Sequence, residues 1–212
     1  MKKIANFIKA SESAWLDKIV ENPETGNKVK VKSLPVKDRE KYRPKETLHD
    51  EARKGNTDIL HHPSVSTHQT GNLKNTPLHV LAGEGVKDVL KHPHVAKIKN
   101  TEGTTPLHYL AHQGEEAILE HPDASKVKDD SGDTPMHWLA SKENLSKNAI
   151  RETLKHPDVA KVKNNSGQTP LHELANQGVV AALDHPDANK VKDKKGRTPK
   201  DVYEKNFGKL NR

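Results

Sequence analysis

Four residues, Thr-Pro-Leu-His, recur along this chain at nearly constant spacing, and no other feature constrains the fold as tightly. They stand at Thr76–His79 and Thr105–His108, return as Thr-Pro-Met-His at Thr134–His137 and again as Thr169–His172, and open an altered copy at Thr198-Pro199. The intervals between successive threonines are 29, 29, 35 and 29 residues, and a degenerate copy at Glu46-Thr47-Leu48-His49 precedes Thr76 by 30. A His-Pro step follows the second apolar run of each unit, at His62, His92, His121, His156 and His185. A period of roughly 20 to 50 residues is the signature of a stacked array, in which each unit buries its apolar face against its neighbours.

The copy from Gly167 to Asp193 predicts two short antiparallel helices and a turn. Thr169 is suited to a helix N-cap, and Pro170 at the first helical position loses nothing because its absent N–H would have been unpaired. Leu171, Leu174 and Ala175 form an apolar stripe ended by Gly178. Val179, Val180, Ala182 and Leu183 are expected to supply a second helix, stopped before Pro186. Helices this short are unstable alone, so they are expected only as part of a stack.

Gly-x-Thr-Pro-Leu-His-x-Leu-Ala-x-x-Gly followed by a helix, a turn and an extended tip resembles the ankyrin repeat family. The resemblance covers residues 46–212, with a glycine two residues before the threonine at Gly103, Gly132, Gly167 and Gly196. It implies an all-α repeat solenoid, with units starting near 46, 76, 105, 134, 169 and 198; residues 1–45, outside the resemblance, read from their own pattern as a basic helical and extended segment. The sequence departs from the family pattern in three ways. Its usual unit is 29 residues instead of 33, with the loss placed after Gly85, Gly114 and Gly178. His-Pro replaces His-Gly, and leucine often replaces the first alanine of the Ala-Ala pair.

The ends of the array look like caps. Asp50 and Glu51 occupy positions that are apolar in later units, and Lys200-Asp201 replaces Leu-His, so both ends are expected to face water. Val202, Tyr203 and Phe207 are expected to cover the last layer. The fourth unit is six residues longer than its neighbours, with the excess between Ala140 and His156. A loop over 141–148, a Ser146 N-cap and a regained helical turn, with Leu145, Ile150 and Leu154 facing the stack, account for that length. At the N-terminus, Ile4, Ile8, Trp15 and Ile19 fall near a helical period, with Phe7, Leu16 and Val20 beside them. Residues 1–20 read as a helix that docks on the array, binds a partner or meets a membrane surface. Lys28–Lys32 alternates like an exposed strand.

Composition sets outer limits. Apolar residues make up 31% and aromatics 3%, enough for thin layers of Leu, Val, Ile and Ala. With no cysteine there is no disulfide framework or cysteine-based metal centre. No apolar run spans a membrane, and an intracellular location is the default expectation, with secretion or translocation left open. The net charge of +7 is unevenly spread: residues 1–45 hold 12 Lys/Arg against 6 Asp/Glu, residues 46–189 hold 15 against 20, and residues 190–212 hold 9 against 3. That distribution argues against a continuous nucleic-acid track.

Catalysis, cofactors and metals are not expected. The repeat histidines recur once per layer, roughly 10 Å apart, too far to share a metal bonded at about 2 Å; hydrogen bonding within a unit or between adjacent tips explains them better. His61-His62, with His49 or His68, is the one local histidine cluster. Binding of another protein is the leading expectation. Its candidate surface comprises the tip residues Glu102, Asp130, Asp133, Gln168, Lys194, Lys195 and Arg197, the aromatic residues Tyr109 and Trp138, and Lys142 and Glu143 of the lengthened unit. Whether the two rings point outward or pack between helices is open. The runner-up is polyanion or nucleic-acid binding through Lys97/Lys99, Lys126/Lys128, Lys161/Lys163 and Lys190/Lys192, diluted by Asp129, Asp187 and Asp193. A structural role in a larger assembly is the third reading.

Overall fold

The computed structural model describes Ile19–Glu21, Lys28–Lys30 and residues 47–209. The chain divides into two compact units, residues 1–47 and 48–212. In the first, β1 (Ile19–Glu21) pairs antiparallel with β2 (Lys28–Lys30), Val20 opposite Val29. β-Branched residues favour this extended pairing over a helix. This corrects the expectation of a helix running to Val20; the rest of that helix lies outside the described residues.

The second unit is built on helices α1 (Leu48–Arg53), α2 (Pro77–Gly83), α3 (Pro106–His112), α4 (Pro135–Ala140), α5 (Lys147–Lys155), α6 (Pro170–Asn176) and α7 (Pro199–Phe207). All but α5 start within a repeat motif, and each of these packs on the next: α1 on α2, α2 on α3, α3 on α4, α4 on α6 and α6 on α7. From α2 onward they begin alike, with threonine as N-cap, proline behind it, and the third helical residue closing a capping box. That residue is usually Glu or Gln in such a box; here it is the repeat histidine. Thr76 donates its backbone N–H to Nδ1 of His79 at 3.1 Å, and the same bond recurs at Thr105, Thr134 and Thr169. In α7 the carboxylate of Asp201 takes the role, accepting from the N–H and hydroxyl of Thr198.

Two-turn helices acquire their stability from burial. Leu78 and Leu81 of α2, Leu107 and Leu110 of α3, Met136 and Leu139 of α4, and Leu171 and Leu174 of α6 are completely buried. Each such side chain contributes about 1.5–3 kcal/mol when withdrawn from water. The buried residues form one cluster from Ala52 to Leu139 and a second from Ala140 to Tyr203. Leu145, in the extra length of the fourth unit, packs against both.

The expected second helix is corrected in the short units. After Gly55, Gly85, Gly114 and Gly178, all with positive φ, the chain makes a single five-residue 3-10 turn: Thr57–His61, Lys87–Lys91, Glu116–Glu120 and Val180–Asp184. With four residues missing, too little chain remains before the His-Pro step to close a second α-helical turn. Each 3-10 turn buries one apolar residue, Ile59, Val89, Ile118 or Ala182, while Val180 faces solvent. The fourth unit regains an α-helix, α5, and Ser146 caps it by accepting the N–H of Ala149 at 3.0 Å. The loop before it therefore ends at Ser146 instead of Asn148. Ser146→Ala is expected to cost about 1 kcal/mol of stability in denaturant unfolding, the usual value of a lost N-cap.

Lys200 and Asp201 are exposed as expected, and each end departs from expectation at one residue. Glu51 is only 8% exposed. Its carboxylate accepts from Asn56 Nδ2 at 2.8 Å and pairs with Lys54 at 3.0 Å, so local partners offset its desolvation. At the other end Val202 and Tyr203 are buried, but Phe207 is 54% exposed, its ring against Tyr203 and under Gly178.

Candidate functional site

The tips and the first turns of the motif helices form one hydrogen-bonded surface. At each tip an Asn or Asp side chain accepts two backbone N–H groups: Asn100 from Glu102 and Thr104, Asp129 from Ser131 and Asp133, Asn164 from Ser166 and Gln168, Asp193 from Lys195 and Arg197. Such side chains stabilise turns by mimicking the backbone. Successive tips are joined by backbone bonds, Asp130 N–H to Glu102 O, Asn165 N–H to Ser131 O and Lys194 N–H to Ser166 O.

The repeat histidines tie the helices to these tips. His79 Nε2 meets the carbonyl of Thr104 at 3.1 Å, and His108, His137 and His172 reach Asp133, Gln168 and Arg197 of the following tip in the same way. A carbonyl only accepts, so Nε2 carries the proton and Nδ1 is the acceptor within the capping box. Both ring nitrogens are used. Burial holds the rings neutral: His79 and His108 are pushed down to about 4, and His137 and His172 are also lowered by desolvation. The His-Pro histidines play a smaller part, with Nδ1 accepting the N–H two residues on at Ser64, His94, Asp123, Asp158 and Asp187. In the expected local cluster, the ring of His49 lies tilted against that of His68, while His62 turns to Ser64 and His61 is exposed.

The residue after each repeat histidine makes a row across the motif helices: Val80, Tyr109, Trp138 and Glu173. Tyr109 and Trp138 are half-buried. Tyr109 sets its ring edge-on to His79 and its hydroxyl on Asn75, whose amide donates to it at 3.1 Å. Trp138 stands edge-on to His108 and 6.2 Å from Tyr109, and its indole N–H donates to Asp129 Oδ2 at 3.0 Å. The two rings thus pack on the preceding unit's histidine and keep a solvent-accessible surface. Glu173 is half-buried beside Asp133, and burial together with that carboxylate raises it to about 7.

Of the other sequence candidates, Glu102, Asp130, Glu143, Lys194 and Lys195 are exposed, and Lys142 and Gln168 are half-buried. Asp133 accepts from Asn164 Nδ2 at 2.7 Å, and Arg197 forms two bonds to Asp193, at 2.9 and 2.7 Å. Tyr109 therefore stands beside Trp138, whereas Lys194, Lys195 and Arg197 belong to the last tip. Asp129 and Glu173 were absent from the predicted site. The spacing of Asn100, Asp129, Asn164 and Asp193, three residues before each tip glycine, was the available signal for Asp129.

All eight lysines of the paired rows are exposed. Lys99, Lys128 and Lys163 each donate Nζ to the carbonyl of the corresponding lysine in the next unit, Lys128, Lys163 and Lys192, at 2.6–2.8 Å. Of the acids expected to dilute the lysine rows, Asp193 is paired with Arg197, while Asp129 accepts the neutral indole N–H of Trp138. Away from the aromatic row, a groove of about 580 Å³ lies between the 3-10 turn of the third unit and α5, with Glu115, Glu116, Glu120 and Glu152 along it. Among the described residues no group of three or more histidines and carboxylates is placed to hold a metal ion, and no helix is long and apolar enough to cross a membrane. No family model and no curated protein matches the chain.

Proposed function

We propose that residues 48–212 form an ankyrin-like repeat solenoid that binds another protein, without catalysis, through the face carrying Tyr109 and Trp138 and the adjoining lengthened fourth unit. The observation that carries this reading is the pair of half-exposed rings immobilised by His79, His108, Asn75 and Asp129. Large rings that are already ordered lose little entropy on binding, which is what makes aromatic anchors effective. A partner recovered by affinity capture from nuclease-treated lysate provides the test. Trp138→Ala is expected to weaken that partner by about 2 kcal/mol, roughly thirtyfold, with the fold retained. Shortening 141–148 to the length of the neighbouring units is expected to weaken it too. Unchanged affinity in both variants, or loss only where thermal unfolding shows the array has melted, rejects this face.

The aligned, exposed lysines favour a second reading, polyanion binding. It requires an affinity that falls steeply with salt, since each neutralised phosphate releases counterions. Submicromolar binding to unrelated duplexes that persists near about 0.15 M salt would place the protein in this second class.

A further inference from the structure

The lysines of the two rows differ in what their ammonium groups meet. Lys99, Lys128 and Lys163 each donate Nζ to the backbone carbonyl of the equivalent lysine one unit on, at 2.6, 2.7 and 2.8 Å, the file ending at Lys192. Three ammonium groups are thereby held at equivalent points of successive units. Each has three N–H donors, and a carbonyl takes one of them without neutralising the charge. Among the described residues, carboxylates pair with Lys54, Lys87, Lys91, Lys155, Lys190 and Lys200, and with none of these three. The spacing of the file follows from the packing. α3 packs on α4 and α4 on α6, and packed helices lie about 8–10 Å apart. A polyproline II segment rises about 3.1 Å per residue with three residues per turn, so side chains three apart share a side at about 9.3 Å. A nucleic-acid duplex instead carries a charge every ~1.7 Å of its axis. Residues 46–189 around the file hold 15 Lys/Arg against 20 Asp/Glu, which repels a polyanion longer than the file itself. Lys128 directly precedes Asp129, the acceptor of the Trp138 indole N–H, so the file passes one residue from the aromatic face.

We propose that Lys99, Lys128 and Lys163 receive an extended acidic segment of the protein partner, with a carboxylate at every third residue and one ammonium for each. The assignment rests on the protein-binding reading above and adds to it a second contact of stated chemistry. Hydrogen bonds to the neighbouring carbonyls already order the lysine side chains, which lowers the entropy still to be lost when an anion arrives. Exposed ion pairs are individually weak. The three together therefore set the register of a segment whose main anchor is the aromatic face, as charge complementarity does at other interfaces.

The test titrates the isotope-labelled full chain with a blocked peptide of Glu-Pro-Pro triplets at about 0.05 M salt, following backbone amides by NMR. Saturable shifts are expected at Lys128, Lys163 and Lys192, whose carbonyls anchor the file. They should be absent with the same peptide carrying glutamine. A peptide of the same composition with its glutamates contiguous should bind about threefold more weakly or worse. Lys128→Gln combined with Lys163→Gln is expected to weaken the Glu-Pro-Pro peptide about tenfold. Lys205→Gln combined with Lys209→Gln, the same charge change at exposed lysines outside the file, should leave it unchanged. No saturable shift up to about 5 mM peptide, equal binding of the glutamine or the contiguous peptide, or equal weakening by the two double variants each overturns the proposal. Tighter binding of a short oligothymidylate through Lys128 and Lys163 overturns it as well and assigns the file to nucleic acid. The captured partner separates the two levels of inference. If Trp138→Ala abolishes its binding and the Lys128/Lys163 double variant does not weaken it, the face stands and the acidic-segment assignment falls. If only the double variant matters, the face falls and the file stands; if neither does, both fall.

Discussion

Acidification from pH 7 to pH 4.5 is expected to unfold residues 48–212. The histidines His79, His108, His137 and His172 are held neutral by burial, with Nδ1 accepting from the capping threonine. In the unfolded chain they titrate near about 6.5. Below that value the unfolded state binds more protons than the folded one, so stability falls as pH falls. The contribution is complete above about pH 6.5 and is lost progressively towards about pH 4, where His79 and His108 finally protonate in the folded state. For those two residues the loss is on the order of 3 kcal/mol each, and His137 and His172 add in the same direction. Glu173 works the other way, because its folded value near 7 lies above its ordinary one and stabilises the fold as pH drops from about 7 to about 4.5. One carboxylate does not balance four histidines.

Denaturant unfolding followed by circular dichroism at several pH values checks this. His108→Gln sharpens the test, since glutamine is a natural capping-box residue at the third helical position and does not titrate. It is expected to lower stability at pH 7 through the weakened bond to Asp133 O, yet to flatten the dependence between about pH 6.5 and 4. An unaltered pH slope in that variant would show that the ring does not carry the effect.

What could be read from the sequence was local chemistry. The threonine cap, the proline behind it and the leucine stripe of the motif helices depend on neighbours within four residues, and they fold as expected. The Ser146 cap and the regained helix α5 followed from a count of inserted residues. The reading failed where distance in sequence separates the partners. The pairing of Tyr109 with Asn75, 34 residues away, cannot be deduced from periodicity alone, whereas the bonds of the repeat histidines within their units and to the next tips agree with the expectation. Glu51 was misassigned to solvent because its position in the array suggested exposure, while its compensation by Lys54 and Asn56 lay within five residues. The second elements keep a helical expectation despite the four-residue loss after Gly85, Gly114 and Gly178, because a five-residue segment ahead of a proline closes a 3-10 turn rather than an α-helix. At the site, the two aromatics were visible by rarity, but Glu173 became distinctive only once its burial beside Asp133 was known.

The second large effect is expected at the tips, where Gly132→Ala should cost about 3 kcal/mol and Gly196→Ala about half as much. Both glycines have a φ of 76°, in the left-handed region that disfavours any residue with a Cβ. Their surroundings differ. A Cβ on Gly132 would sit 2.8 Å from the backbone nitrogen of Asn165 and 2.5 Å from its Oδ1, whereas one on Gly196, at the last tip, would meet nothing within 4 Å. Relieving that clash means pushing the fourth unit's tip away, and with it the bonds from Asn165 N–H to Ser131 O and from Asn165 Nδ2 to Asp130 O. The backbone strain is common to both substitutions, so the difference between them isolates the close approach of one tip to the next. Gly103→Ala supplies a second reading of the same quantity, since its Cβ would meet Asp130 at 2.5 Å from Oδ1 and 2.9 Å from the backbone nitrogen. Equal losses at Gly132 and Gly196 would mean that conformational strain alone is at work and that the tips are not in register. A larger loss at Gly132 and Gly103 than at Gly196 would tie the stability of each unit to its neighbour through the surface on which Asp130, Asp133 and Trp138 are displayed.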